Sequence, residues 1–247
     1  AYSPSGLFKP GAENGVAMSQ ADIDEVVASF AQAALDAKNI GFDAIEVHGA
    51  HGYLVDQFFW EGTNQRDDKY GGSLENRTRF GVEIVQAIRA AVGDDFTIIF
   101  RFSQWKQQDY SAKLCQTPEE LERFLNLLSD AGVDVFHAST RRFWVSEFEG
   151  SALNLAGWTK KLTNKPVITV GNVGLDADFI GEGNKDLSGT SNPTGIDELL
   201  ERLGNNEFDL VAIGRALLVD PDWVNKIAVD AIEEIKPFTK KSLMSLS

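Results

Sequence analysis

The sequence predicts an α/β fold in which parallel strands alternate with helices. Five short runs rich in β-branched and aromatic residues are apolar along most of their length, which is typical of strands buried on both faces of a parallel sheet. Between these runs lie segments of helical periodicity, and neither a polar linker nor a short repeat interrupts the alternation over the 247 residues. This order indicates a parallel sheet with helices outside it.

The starts of the helices are the clearest local patterns in the sequence. Ser19 opens a capping-box spacing with the acid three residues on, and Thr117 precedes Pro118 as an N-cap precedes a first-turn proline. Asp220 before Pro221 predicts a third start. The predicted strands are 44–48, 96–103, 133–139, 166–172 and 210–215. The predicted helices are 20–38, 74–91, 118–131, 155–162, 195–203 and 221–235.

Composition and charge limit the partners. The formal net charge of −14 predicts neither nucleic acid nor an anionic membrane surface as a partner, because both attract basic patches. Cys115 is the single cysteine, which excludes an intramolecular disulfide and any multi-cysteine metal or iron–sulfur site within this chain. No apolar run reaches the roughly 18 residues that span a bilayer, and no signal-peptide pattern is found. We therefore expect a cytoplasmic protein without a bound metal.

Two architectures are compatible with the alternation, an open doubly wound sheet and a (β/α)8 barrel. No glycine cluster between a strand and a helix has the G-x-G-x-x-G spacing of dinucleotide-binding open sheets, which favours the barrel. Barrels often hold a phosphate in the loops after their last two strands. The last two predicted strands end in Val170-Gly171-Asn172 and Ile213-Gly214-Arg215. A single glycine here is more often a turn residue, but the pair on the last two strands, with Arg215, favours phosphate.

The segment HGAHGY, from His48 to Tyr53, concentrates proton-handling groups after the first predicted strand. If the strand ends in a turn here, the imidazoles of His48 and His51 and the phenol can converge on one small polar group. Core histidines or a pair of metal ligands are the alternatives. Zinc has little support, because only His137 and Cys115 remain as soft ligands.

Motifs along nearly the whole chain form one set. They are Gly41-Phe42-Asp43, HGAHGY, Asn64-Gln65-Arg66, Tyr70-Gly71-Gly72-Ser73-Leu74-Glu75-Asn76-Arg77, Phe100-Arg101-Phe102-Ser103, Val170-Gly171-Asn172-Val173 and Gly214-Arg215-Ala216-Leu217. This set resembles the Old Yellow Enzyme family of FMN-dependent ene-reductases. The resemblance implies FMN as cofactor, NADPH or NADH as reductant and a small α,β-unsaturated carbonyl compound as substrate. Trp60 is a departure, since the family usually has Ser-Pro at that turn.

The resemblance implies a (β/α)8 TIM barrel and places HGAHGY on its fourth strand. Residues 1–247 would then supply strands 4 to 8 only, which is five-eighths of a single FMN-binding barrel domain without its first three βα units. Five strands cannot close the same cylinder and would leave two open sheet edges. We therefore expect a missing N-terminal barrel segment, either from a longer polypeptide of which this chain is a fragment or from a second subunit.

The resemblance also implies roles for single residues. His48 and His51 would hydrogen-bond the carbonyl oxygen of the enone, and Tyr53 would protonate the α-carbon once hydride has reached the β-carbon. Arg101 would face the N1 and C2 edge of the isoalloxazine, with a salt bridge as the alternative. Phosphate contacts would come from Val170, Gly171, Asn172, Gly214 and Arg215, and Phe143 and Trp144 would wall the substrate pocket. Local packing is the alternative for the aromatic residues.

Two other functions stay open at this point. Another phosphate-binding barrel enzyme, such as an aldolase or isomerase, would need a Schiff-base lysine or a carboxylate base at a strand end. No lysine has that position in the predicted elements. The second alternative is that this chain is an incomplete barrel module that is inactive by itself.

Overall fold

The computed structural model describes residues 1–176 and 193–244. The chain divides into two compact units, the first comprising Ala1–Ser139 and Trp158–Val167 and the second Thr140–Gly157 and Ile168–Ser247. The strands are β1 (Tyr2–Ser3), β2 (Leu7–Lys9), β3 (Ala12–Glu13), β4 (Val16–Ala17), β5 (Ala44–His51), β6 (Thr97–Lys106), β7 (Val135–Ser139), β8 (Val167–Val170) and β9 (Leu210–Val211). The helices are α1 (Gln20–Asn39), α2 (Leu54–Phe59), α3 (Leu74–Val92), α4 (Pro118–Ala131), α5 (Leu155–Thr163), α6 (Ile196–Gly204), α7 (Arg215–Val219) and α8 (Trp223–Ala228).

Five of the strands form one sheet in the order β5-β6-β7-β8-β9. β5 pairs in parallel with β6, β6 pairs in parallel with β7, and β8 pairs in parallel with β9. Each of the five overlaps a predicted strand, so the predicted α/β class with a parallel sheet is confirmed. The short strands β1 to β4 precede α1, and the sequence pattern does not predict them.

Alternate residues of β5 and β6 lie on opposite faces of the sheet, and one of these faces packs against an aromatic layer. Phe100 and Phe102 of β6 are fully buried, and their rings approach those of Phe59 in α2 and Phe124 in α4, at centroid distances of 6.2 and 5.7 Å respectively. Gly49 of β5 lies in register with Phe102, and a Cβ placed there would come within 2.7 Å of the Phe100 ring. Successive side chains of a strand point to opposite faces, so the residues between these point away from the aromatic layer.

Two predicted helix starts are confirmed. The Ser19 hydroxyl accepts from the Asp22 amide, and the Asp22 carboxylate accepts from the Ser19 amide, which closes a capping box on α1. The Thr117 hydroxyl accepts from the Glu120 amide at 3.3 Å, and α4 begins at Pro118. Each cap satisfies an amide that the first turn of a helix leaves without a partner.

The last elements of the second unit differ from their predicted extents. The final strand is only Leu210–Val211, and Arg215, predicted at its end, begins α7 instead. The final predicted helix is too long, since α8 spans Trp223–Ala228, and its N-cap is Asp222 rather than Asp220.

A backbone turn explains why the final helix is short. Asp230 has φ 58°, and the Ala231 amide donates to the Lys226 carbonyl at 2.8 Å. This is the hydrogen bond of a Schellman-type helix end, in which aspartate takes the left-handed position that glycine usually occupies. A 3₁₀ turn at Ile232–Glu234 follows in place of the predicted helical residues.

Helix α2 is the main element that the sequence does not predict. It begins directly after Tyr53 and has five buried residues among its six, so no amphipathic period marks it. Trp60 is its C-cap and is buried. The amides of Thr63 and Asn64 donate to the Trp60 carbonyl at 3.1 and 2.9 Å. The loop that begins at Trp60, where the sequence departs from the family pattern, is therefore a tight turn.

Candidate functional site

A row of polar side chains crosses three strands of the first unit at one level. His48 of β5 lies in register with Arg101 of β6, and Arg101 lies in register with His137 of β7. In-register residues of neighbouring parallel strands point to the same face, here the one opposite the aromatic layer. On that face Glu46 Oε2 lies 2.6 Å from His137 Nδ1. Strand register therefore brings two predicted site residues together with a carboxylate–imidazole pair to which the sequence assigns no role.

The turn at the end of β5 has an unusual backbone. His51 has φ 65° and Gly52 has φ 78°, and the left-handed region costs a residue with a Cβ roughly 1 to 2 kcal/mol. The His51 amide donates to the Ser103 hydroxyl at 2.9 Å, and its carbonyl accepts from the Gln107 amide at 3.2 Å. The Gly52 amide donates to the Asp56 carboxylate at 2.6 Å. Hydrogen bonds on both sides of the turn thus hold a conformation that His51 would not adopt alone.

This turn gathers the three predicted catalytic side chains. The ring centroid of His48 lies 5.2 Å from that of His51 and 5.4 Å from that of Tyr53. Tyr53 is the N-cap of α2, makes no side-chain capping bond and is 52% exposed. The convergence of two imidazoles and a phenol is therefore present, with the phenol accessible.

Ser139 and Trp105 surround the His51 imidazole, and the sequence predicts neither. His51 Nε2 lies 2.8 Å from Ser139 Oγ, and the Trp105 ring stacks on His51 at 4.5 Å with an interplanar angle of 23°. Burial, followed by the positive charge of Arg101, lowers the pKa of His51 from 6.5 to about 3. Burial also lowers the pKa of His48 below 6.5. Both imidazoles are therefore neutral at pH 7, and each carries one N–H donor.

Two nitrogens of the Arg101 guanidinium, Nη2 and Nε, differ in their hydrogen bonding. Its Nη2 donates to Ser139 Oγ at 3.3 Å, whereas its Nε is buried and has no partner among the described residues. Burial lowers the pKa of Arg101, although the Glu46 carboxylate opposes the shift. A buried N–H without an acceptor costs free energy, so this group is a candidate contact for a ligand.

A lysine does lie at a strand end, which corrects an expectation from the sequence. Lys106 is the last residue of β6, which extends beyond its predicted end at residue 103. Its Nζ lies 2.6 Å from Asp56 Oδ1, and both side chains are fully buried. An ammonium group that is ion-paired and enclosed in this way cannot attack a substrate carbonyl. Lys106 therefore does not support the Schiff-base alternative.

The second unit contains the residues predicted to contact phosphate. Asn172 follows β8 with φ 46°, and its Oδ1 accepts from Arg215 Nη2 at 2.6 Å. Gly171 has φ 143°, and a Cβ placed there would lie 2.5 Å from Thr140 Oγ1, so the fold itself requires this glycine. Among residues 1–176 and 193–244, no atom lies within 4 Å of a Cβ placed at Gly214. The described residues therefore enclose Gly171 but not Gly214.

Two other predicted site residues take part in the packing of this unit. The Val170 carbonyl accepts from the Thr140 amide and hydroxyl at 3.1 and 2.6 Å. Phe143 is fully buried, and its amide donates to the Gly171 carbonyl at 3.1 Å. Its ring lies edge-on to Trp144 at 5.2 Å, and Trp144 is partly exposed. Of the two predicted wall residues, only Trp144 thus presents surface.

Two observations within 1–176 and 193–244 bear on membranes and metals. No helix in these ranges combines the length and the apolar character needed to cross a membrane. The same ranges contain no cluster of three histidine, cysteine, aspartate or glutamate side chains that could hold a metal ion. The metal-ligand alternative for His48 and His51 gains no support from the described residues.

Comparison with known proteins gives one consistent family. The profile of the NADH:flavin oxidoreductase / NADH oxidase family matches residues 3–234. The chain is 38% identical to an NADH oxidase of Thermoanaerobacter brockii, over 87% of this chain and 31% of that protein. It is 36% identical to an NADPH dehydrogenase of Clostridium acetobutylicum, over 90% of this chain and 60% of that protein. The solved structure of morphinone reductase in complex with tetrahydroNAD matches with a TM-score of 0.71 at 25% identity, over 93% of this chain and 60% of that one.

These matches decide the family but cover only part of each relative. The chain spans 31% and 60% of the length of the two enzymes above. The resemblance to the Old Yellow Enzyme family is confirmed, and FMN and a reduced nicotinamide are the cofactors of that family. With a profile match that begins before β2 and continues past α8, this chain belongs to the NADH:flavin oxidoreductase / NADH oxidase family.

Proposed function

We propose that this protein takes part in the FMN-dependent reduction of the C=C bond of α,β-unsaturated carbonyl compounds, with NADPH or NADH as reductant. The observation that carries the proposal is the convergence of two imidazoles and an accessible phenol: the His48 ring centroid lies 5.2 Å from that of His51 and 5.4 Å from that of Tyr53. We also propose that the five-stranded sheet supplies strands 4 to 8 of a (β/α)8 barrel, which the match to morphinone reductase supports. The other strands would come from a longer polypeptide or a second subunit.

The described residues fit FMN at two places, one in each unit. In the first unit, the buried Nε of Arg101 has no partner in the part of the chain that the structure describes, and a carbonyl or nitrogen of a flavin ring would satisfy it. In the second unit, a Cβ at Gly214 would have no neighbour within 4 Å among the described residues, and Arg215 follows it, which suits a phosphate group. The remaining phosphate contacts are assigned to Val170, Gly171 and Asn172. FMN, when bound, supplies the hydride that the nicotinamide has delivered to it.

His48 and His51 bind the enone through its carbonyl oxygen in this proposal. Negative charge grows on this oxygen as hydride reaches the β-carbon, and N–H donors aimed at it stabilise that charge. Because burial lowers the pKa of both imidazoles, each acts as a neutral hydrogen-bond donor. Tyr53 carries its hydroxyl on an exposed ring and gives its proton to the α-carbon. Trp144 forms the wall of the substrate pocket, with Phe143 packed against it.

Tyr53→Phe tests this proposal, because it keeps the ring and removes only the hydroxyl. In stopped-flow measurements on the FMN-loaded protein, we expect normal flavin reduction by the nicotinamide. Reoxidation by cyclohexenone should be slower by roughly 10² to 10⁴-fold, as for loss of a general acid. Tyr2→Phe is the matched control, since Tyr2 is 58% exposed in β1, and it should leave both rates unchanged.

Two outcomes would contradict the proposal. Unaltered reoxidation in Tyr53→Phe would show that the proton comes from solvent or another group. A wild-type protein that binds FMN but whose reduced flavin does not react with any enone would refute the proposed function as a whole. Reduction by the nicotinamide without enone reactivity would instead favour a flavin oxidase activity.

A further inference from the structure

Ser139 lies between two side chains of the cluster in the first unit. It is the last residue of β7 and is buried, with 2% of its surface exposed. Its Oγ lies 3.3 Å from Arg101 Nη2 and 2.8 Å from His51 Nε2. These two nitrogens are the partners of the hydroxyl among the described residues. The direction of each hydrogen bond decides where the ring proton of His51 lies.

The directions follow from which groups can donate and which can accept. A guanidinium has donors only, so Arg101 donates to Ser139 Oγ. The hydroxyl proton of Ser139 then needs an acceptor, because a buried hydroxyl without one loses a hydrogen bond that it makes in water. His51 Nε2 can accept when the ring proton is on Nδ1. If Nε2 carried the proton instead, Ser139 Oγ would accept twice and its own hydrogen would have no acceptor within the described residues.

We infer that Ser139 fixes His51 as the tautomer protonated at Nδ1. Arg101 orders the serine hydroxyl, the hydroxyl donates to Nε2, and Nδ1–H becomes the donor that His51 offers to a ligand. Trp105 holds the plane of the same ring through its stack at 4.5 Å, and Trp105 Nε1 donates to the Ser139 carbonyl at 3.3 Å. Ser139 thus positions both the proton of the imidazole and the indole that covers it.

The consequence for catalysis rests on the proposed function. An oxyanion needs a donor at a defined place, and the nitrogen of a histidine that donates is set by the hydrogen bond at the other nitrogen. Without Ser139, some molecules would present the lone pair of Nδ1 to the substrate oxygen in place of an N–H. We therefore expect Ser139→Ala to bind p-hydroxybenzaldehyde several-fold more weakly than the wild type does.

Nitrogen-15 NMR of the histidine-labelled full chain tests the inference directly. The chain has three histidines, so the ring signals of His51 are identified by their loss in His51→Asn. In the wild type at pH 7 we expect a protonated Nδ1 and an unprotonated Nε2, and in Ser139→Ala a shift toward a mixture of tautomers. Ser139→Thr retains a hydroxyl and should restore the wild-type pattern. Ser129→Ala, a matched substitution on α4, should leave the pattern unchanged.

Two results would overturn the inference: a protonated Nε2 on His51 in the wild type, or an unchanged tautomer in Ser139→Ala. Once His51→Asn has identified the signals, the wild-type spectrum can refute the inference by itself, so the test does not depend on the folding of Ser139→Ala. The measurement needs neither FMN nor an enone. Its failure is thus distinguishable from failure of the proposed function, which is read from the reaction of the loaded wild-type protein with enones.

Discussion

Lys106→Met should destabilise the first unit strongly, because it removes one half of a buried ion pair. Lys106 Nζ lies 2.6 Å from Asp56 Oδ1 and donates to the Ser103 carbonyl at 3.3 Å, and both charged side chains are fully buried. After the substitution, the Asp56 carboxylate keeps the hydrogen bond from the Gly52 amide but loses its counter-charge. Removing one partner of a buried pair costs about 3 to 5 kcal/mol in free energy of unfolding.

Most of this cost should come from the uncompensated carboxylate rather than from the loss of the pair itself. Asp56→Asn in the Lys106→Met background removes the charge and retains an oxygen for the Gly52 amide. We expect the double variant to recover at least about 2 kcal/mol relative to Lys106→Met. Arg123→Met is the control: Arg123 lies 3.5 Å from Glu75, the two side chains are 57% and 46% exposed, and loss of such a pair costs about 1 kcal/mol or less.

Urea unfolding at pH 7, followed by tryptophan fluorescence, measures these free energies. Hydrogen exchange at the Gly52 amide should also be faster in Lys106→Met, because the carboxylate that accepts from this amide is the one left without its partner. The reasoning would be refuted by a Lys106→Met variant as stable as Arg123→Met. A double variant less stable than Lys106→Met would refute it equally.

Two further predictions concern charge in each unit. The pKa of His51 is about 3 in the fold against an ordinary 6.5, so below pH 6.5 the unfolded chain takes up a proton that the folded protein does not. The free energy of unfolding should therefore fall by up to about 1.4 kcal/mol per pH unit from pH 6.5 toward 3. His51→Asn should flatten this slope. Equal slopes for the two proteins in urea titrations across this range would contradict the prediction. Arg215→Ala should weaken FMN binding roughly 10- to 150-fold through loss of a charge-assisted hydrogen bond worth about 1.5 to 3 kcal/mol, and Arg215→Lys should recover part of the affinity. Flavin fluorescence titration measures both variants, and unchanged affinity in Arg215→Ala would place the phosphate elsewhere.

Sequence patterns predict the sheet better than they predict the surroundings of the site. Buried parallel strands have an apolar, β-branched composition that few other segments share, so all five strands are found. The sequence does not predict the last residues of β6, because a lysine is typical of an exposed position. The partner with which Lys106 is buried, Asp56, lies fifty positions away. Ser139 and Trp105 carry no local signal either. Their contacts with His51 depend on which strands are neighbours and on the register between them, which a single sequence does not contain.

The HGAHGY motif contains the proposed catalytic groups, and the end of β6 holds the turn that positions them. Ser103 accepts from the His51 amide, Gln107 donates to the His51 carbonyl, and Lys106 neutralises the carboxylate that holds the Gly52 amide. The turn that they support has two successive residues in the left-handed region, which is unfavourable for His51 without such partners. We therefore expect substitutions at the end of β6 to alter the placement of the His51 imidazole. Ser103 ends the predicted strand, Lys106 ends β6 as observed, and Gln107 follows it, so the turn depends on the end of β6 and on the residue after it.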